Sequence, residues 1–161
     1  MSQPIIVTRE FSAPVEKVWR AWSVPEEAQK WWGPTGFDAP HMNIDFKVGG
    51  KYHFCMRGLD TMPPEFAGKE FWSTGTYKEI QPMSKIVCTD SFSDKDGNIV
   101  SATAYGMEEM PLELLVTVAF ASSEAGGTTM TLTHEGMPEA MHEQCSQGWN
   151  MSFDKLEANI Q

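Results

Sequence analysis

Cysteine is scarce in this sequence, and the little there is lies scattered. The 3 cysteines stand at Cys55, Cys88 and Cys145, with no CxxC pair among them. An odd, widely spaced set argues against a disulfide framework and reads as reduced thiols in a cytoplasmic protein. Basic clusters are missing as well. The chain has 12 Lys and Arg against 22 Asp and Glu, a formal charge of -10. Nucleic acids and anionic membranes both select for basic patches, so neither is an expected partner. No apolar run is long enough to span a bilayer, and "MSQPIIVTREF" lacks the charged-then-apolar order of a signal peptide. GxSxG is absent. "GGKY" has no Walker pattern and leads into a strand rather than a helix, so it does not cradle phosphate.

What the sequence does have is large apolar side chains. Six Trp, 9 Phe and 11 Met occur in 161 residues, a length that suits one domain over 1–161. Methionine is soft and polarizable; it fills cores and lines adaptable binding surfaces. Residues 4–12, "PIIVTREFS", read as a strand. Ser12 is then the expected cap of a helix carrying Val15, Val18, Trp19 and Trp22 on one stripe. Pro25 opens a second short helix, "PEEAQKWW", which Gly33 and Pro34 stop. Six strands follow near 37–46, 51–57, 70–80, 85–93, 112–121 and 128–135. In the fifth of these, Leu112, Leu114, Val116, Val118 and Phe120 share a face. Residues 138–160 then form a long amphipathic helix, with Met141, Cys145, Trp149 and Phe153 on its apolar stripe. Gly148 weakens that helix by about 1 kcal/mol. The expected reason for it is close approach of another backbone.

A run of antiparallel strands with helices at the ends is an α+β pattern. Four segments carry a more specific resemblance: "FSAPVEKVWRAWSVPEEAQKWWGPTGF", "IDFKVGGKYHFCMRG", "GTYKEIQP" and "GWNMSFDKLEANI". In this order they resemble the heat-shock-protein-90 ATPase activator homologue family in its single-domain bacterial form, within the START-like (SRPBCC) superfamily. The resemblance covers nearly the whole chain. It implies a helix-grip fold, as in the birch pollen allergen: a curved antiparallel sheet wrapped on the C-terminal helix with a cavity between them. It also implies a stress-response setting and a chaperone partner. The eukaryotic activators, however, carry a separate chaperone-engaging N-terminal domain for which this chain has no room. Cys145 departs from the pattern, since many relatives have His at that place.

The candidate binding residues follow from these elements. Of Trp31 and Trp32, one is expected on the core and the other at the cavity, because adjacent helical positions point about 100° apart. Strand 51–57 offers either Tyr52, Phe54 and Met56 or the alternates His53, Cys55 and Arg57; a slip of one residue inverts the choice. Asp90 faces either solvent or the pocket, alongside Cys88 and Phe92. Segment 97–113 is too long for a tight hairpin and reads as a lid bringing Tyr105, Met107 and Met110 to the opening. Met141, Cys145, Trp149 and Phe153 face the sheet from the helix. His134 reads as a cap or exposed residue, with a place at the cavity mouth as the alternative. His53 and Cys55 share a strand face, but no third ligand accompanies them, so no metal is assigned. Cys145 reads as a small buried hydrophobe rather than a thiolate. No catalytic residue and no cofactor is assigned. The function read from this is non-enzymatic binding of a small apolar or amphipathic ligand. The alternatives are a chaperone-interacting protein and an enzyme of the polyketide cyclase or dehydratase kind.

Overall fold

Seven strands and three α-helices make up residues 3–160, the part of the chain described by the computed structural model. β1 (Ile5–Phe11) is followed by α1 (Val15–Ser23) and α2 (Pro25–Ala28). Then come β2 (Phe37–Ile44), β3 (Lys51–Gly58), β4 (Glu70–Gln81), β5 (Lys85–Ser93), β6 (Leu114–Ser122) and β7 (Thr128–Glu135). α3 (His142–Ile160) closes the chain. All neighbours are antiparallel, in the order β1-β7-β6-β5-β4-β3-β2. The helix pair carries the chain from one sheet edge to the other. The sheet curls around α3, which is the helix-grip arrangement.

Side-chain alternation decides what the curl encloses. Leu114, Val116, Val118 and Phe120 are buried on one face of β6, and Met130, Leu132 and His134 continue that face on β7. On β3 the helix-facing set is Tyr52, Phe54 and Met56. His53, Cys55 and Arg57 turn the other way, where His53 stacks on Trp72 and Arg57 pairs with Asp38. Tyr52 lies opposite Gly75. A Cβ built at Gly75 would come within 2.4 Å of the Tyr52 ring and 2.0 Å of the Thr89 carbonyl oxygen. Glycine there lets the ring lie flat on the sheet.

α3 is fastened at its far half. Phe153, Leu156 and Ile160 are buried, and Arg9 of β1 donates to Asp154 at 2.9 Å and to the Asn150 side chain at 3.2 Å. Toward its start the helix is less covered: Cys145 and Trp149, and Met141 just before the helix, are only half-buried.

Several local expectations shift. α2 ends at Ala28 rather than Trp32. The Trp31 and Trp32 amides both reach the Ala28 carbonyl, at 3.3 and 3.2 Å, so the chain tightens into a turn, and Gly33 follows at φ +96°. Pro14, not Ser12, sits at the cap of α1, and no side chain caps it. Leu112 lies before β6 and is exposed. A 3-10 turn, Glu139–Met141, precedes α3. Gly148 meets nothing within 4 Å of where its Cβ would be, so no backbone approaches it. Met83 takes φ +63° in the β4–β5 turn after Pro82, a conformation better suited to glycine or asparagine.

Gly75→Ala is expected to lower unfolding free energy by about 1–3 kcal/mol, the usual cost of overpacking a filled core. Urea unfolding measures it; an unchanged midpoint would mean that Tyr52 does not rest on Gly75.

Candidate functional site

Two apolar spaces lie between the helices and the concave face. The inner one, about 50 Å³, is walled by Trp31, Tyr52, Phe54, Cys88 and Val116, with Asp90 at its edge. The outer one, about 260 Å³, is a groove walled by Met56, Phe92, Met107, Met141, Cys145 and the bare backbone of Gly148. Trp32 and Trp149 belong to both walls. Their rings meet edge to face at 5.7 Å and form the partition between the spaces. A wider cleft of about 930 Å³ opens between Glu65–Phe71 and the Tyr105 segment, and its walls are more polar.

The structure separates the paired tryptophans. Trp31 is 1% exposed and donates its indole N–H to the Ala21 carbonyl at 2.9 Å. Trp32 is half-buried and packs on Phe54 at 4.7 Å. Met107 and Met110 reach the groove, although Met110 is itself buried. Tyr105 does not reach it. Its hydroxyl donates to the Ser93 carbonyl and accepts from the Trp72 amide, and its ring lies against Phe71 and Phe92, so it pins the segment to the sheet. Phe153 is fully buried behind Trp149, stacked at 5.6 Å, and lines neither space.

A polar cluster sits where the two spaces meet. Asp90 points inward on β5. Its Oδ1 lies 3.3 Å from the Tyr52 hydroxyl, which also donates to the Thr89 carbonyl at 2.8 Å. Burial, then the Asp90 charge, raises the Tyr52 pKa well above that of a free phenol, so Tyr52 stays a donor. Asp90 Oδ2 lies 3.1 Å from His134 Nε2, yet the angle there misses hydrogen-bond geometry. Of the two readings of His134, the cap or surface role does not hold: it is 3% exposed, lines the groove and lies at the core of the cluster. Strand parity was the available signal, since His134 follows Met130 and Leu132 on the same face.

His134 Nδ1 is contested. Trp149 Nε1 lies 3.1 Å away and Cys145 Sγ 3.6 Å away. An indole nitrogen can only donate, so Nδ1 is the acceptor and the neutral ring carries its proton on Nε2, toward Asp90. Burial works against a charge on this ring. The Asp90 carboxylate and Cys145 outweigh it, and by those contacts the imidazole would rise to about 9. Trp149 opposes that rise, because its N–H occupies the nitrogen that would take the second proton. That contact holds the ring neutral in the arrangement seen. Cys88, in the inner space, is pushed up by burial and by Asp90. Among the described residues, no three His, Cys, Asp or Glu side chains converge as metal ligands do.

Residues 12–161 match the family model described as Activator of Hsp90 ATPase homolog 1-like protein. The chain belongs to this family. A solved protein from Chromobacterium violaceum is 28% identical over 99% of this chain and 98% of its own, with a TM-score of 0.79. A family protein from Silicibacter pomeroyi is 20% identical, covering 98% and 97% at a TM-score of 0.76. CalU16 from Micromonospora echinospora is 20% identical, covering 98% and 75% at 0.65. These last two share the fold. No curated protein matches the sequence. Among the described residues no helix is long and apolar enough to cross a membrane.

Trp149→Phe removes the opposing donor, so His134 should titrate closer to about 9 in that variant than in the parent. A folded-state pKa above the ordinary 6.5 adds stability that is complete below about 6.5 and drains away as pH rises through about 9. Imidazole NMR titration and urea unfolding across that window should show this slope in Trp149→Phe and a flatter one in the parent. Equal titration in both proteins would break the argument.

Proposed function

We propose that the protein binds a small, neutral, apolar or amphipathic molecule in the groove between the sheet and α3. The observation that carries this reading is Gly148. A helix interior disfavours glycine by about 1 kcal/mol relative to alanine. Here no neighbour needs the space its side chain would take, and the missing side chain leaves the groove wall open. The groove volume of about 260 Å³ falls just below the usual range for small-molecule sites. Its methionines and tryptophans suit an apolar occupant, and the inner space behind the Trp32–Trp149 partition extends the reach for a longer one. Glu108 and Glu109, both exposed, stand in sequence between Met107 and Met110, which line the groove. With a chain charge of -10, that rim disfavours carboxylates and favours neutral or cationic ligands. The family match supports a second reading, contact with a chaperone. Titrating purified Hsp90 with this protein and reading its ATPase rate tests it; an unchanged rate removes it.

The two substitutions at Gly148 separate fold from function. Gly148→Ala should raise the melting temperature by about 2–4 °C, from about 1 kcal/mol of helix propensity. Gly148→Phe should fill the groove and weaken binding of a neutral dye such as Nile red at least about tenfold, without lowering the melting temperature. Undiminished dye binding by Gly148→Phe would place the binding site elsewhere.

A further inference from the structure

We propose that Cys145 is a nucleophilic thiol that traps neutral, apolar, soft electrophiles in the groove, with His134 as its proton acceptor, Asp90 as the carboxylate behind it and Trp149 as the gate. The proposal rests on the groove being a binding site, and it names the chemical class of the occupant.

Three separate elements bring the groups together. Cys145 Sγ, from α3, lies 3.6 Å from Nδ1 of His134 on β7. His134 Nε2 lies 3.1 Å from Oδ2 of Asp90 on β5. A thiol, an imidazole and a carboxylate in sequence are what an activated sulfur nucleophile requires: a base for its proton and a partner for the charge the base acquires. The imidazole is 3% exposed, and its Nε2 has no well-aligned hydrogen-bond partner. Thus a buried ring nitrogen at the groove wall is left without a well-aligned partner, while Nδ1 is held by the Trp149 indole. Cys145 and His134 both line the groove. The other thiols differ. Cys55 is fully buried on the opposite face of β3, and burial pushes it up to about 11. Cys88 lines the inner space and faces Asp90 with no imidazole beside it.

The indole of Trp149 decides when the thiol is active. With its N–H on Nδ1, that nitrogen has no free lone pair to take the thiol proton. Trp149 also forms the partition between the two spaces, so a molecule seated in the groove presses on it. When the indole swings away, the thiol proton passes to Nδ1, and the ring's positive charge faces Asp90. Sulfur then forms a C–S bond to the β-carbon of an activated alkene, and the π pair moves toward the carbonyl. The α-carbon takes the proton back from Nδ1. The whole S–H adds across one C=C bond. Nothing is oxidised or reduced, nothing leaves, and one thioether forms per protein. The apolar walls select uncharged alkenes.

N-phenylmaleimide is the probe, and N-phenylsuccinimide is its saturated counterpart. Intact-mass kinetics with peptide mapping near neutral pH should show Cys145 modified first, at least about tenfold faster than glutathione, because a free thiol is only a few per cent ionised there. Cys55 and Cys88 should stay unmodified in the folded protein. His134→Gln should lose the acceleration, and Trp149→Phe should increase it. N-phenylsuccinimide, followed by Trp fluorescence, should bind without a mass change and slow the maleimide reaction. If His134→Gln fails to fold, Asp90→Asn and the parent's pH–rate profile decide. The profile should level off at lower pH than that of glutathione, and one that tracks glutathione overturns the proposal. So does a Cys145 rate equal to that of glutathione, or one unchanged in folded His134→Gln. Binding of N-phenylsuccinimide without acceleration at Cys145 would sink the trapping and leave the groove as a binding site. No binding of either compound would remove both.

Discussion

A single helix has to cover the concave face of seven strands, and it is too narrow to do so. Seven strands at about 4.8 Å spacing make a sheet roughly 29 Å across, even before it curls. A helix with its side chains is about 10–12 Å in diameter. Curling brings the sheet edges toward α3, but only one half of the helix is held close. Arg9 on β1 fastens Asn150 and Asp154, and the buried Phe153, Leu156 and Ile160 lie along the same half. Apolar strand faces left uncovered must be hidden by something else. The aromatic residues do this. Trp19 packs on Phe46 and Phe120, Trp22 on Trp31, and Trp32 on Phe54. Trp19, Trp22, Trp31 and Trp32 are thus largely the consequence of one narrow cover on a wide sheet, and the two spaces are what they leave unfilled.

The same geometry explains why a polar cluster survives there. A buried carboxylate is costly unless it is satisfied. Asp90 keeps a foothold at the junction of the two spaces, with the Tyr52 hydroxyl on one oxygen and His134 opposite the other. Neither partner comes from a neighbouring residue in sequence. Tyr52 reaches across β4 because Gly75 lets its ring lie flat, and His134 comes from beyond β6. Glycine in the strand and polarity in the pocket are therefore one arrangement. A side chain at position 75 would displace the hydroxyl that Asp90 uses.

How far the sequence could be read follows from the range of each interaction. The strand segments and the long helix were legible, because period-two and period-3.6 patterns are local. The "WWGP" turn was legible in kind and misplaced in length. Two amides converging on the Ala28 carbonyl make a tight turn that the pattern of large residues does not distinguish from helix. The candidate site was legible only where a residue's face follows from its strand or helix. The face of β3 stayed ambiguous until the register with Gly75 settled it. Tyr105 was expected at the opening because its segment is long and sets soft apolar residues among acidic ones, but two backbone groups at the sheet, Ser93 O and Trp72 N, hold it elsewhere. Gly148 was read as a close contact, whereas its role is an absence of contact, which no pattern of neighbours in sequence encodes.

The placement of Trp149 links these strands of argument. It stacks on Phe153, meets Trp32 edge to face and gives its N–H to His134. The first contact belongs to the fastened half of α3 and the other two to the less covered half. Trp149 thus sits at the point along the helix where packing gives way to open space. A residue there is held firmly on one side and weakly on the other, so its displacement costs one hydrogen bond and an edge-to-face contact, each worth about 1 kcal/mol. Covering an apolar occupant with methionine and tryptophan surface returns about 25 cal/mol for each Å² buried. About 80 Å² therefore offsets the displacement, less than one aromatic ring presents. On the proposed reading, an apolar occupant of that size is enough to move the partition.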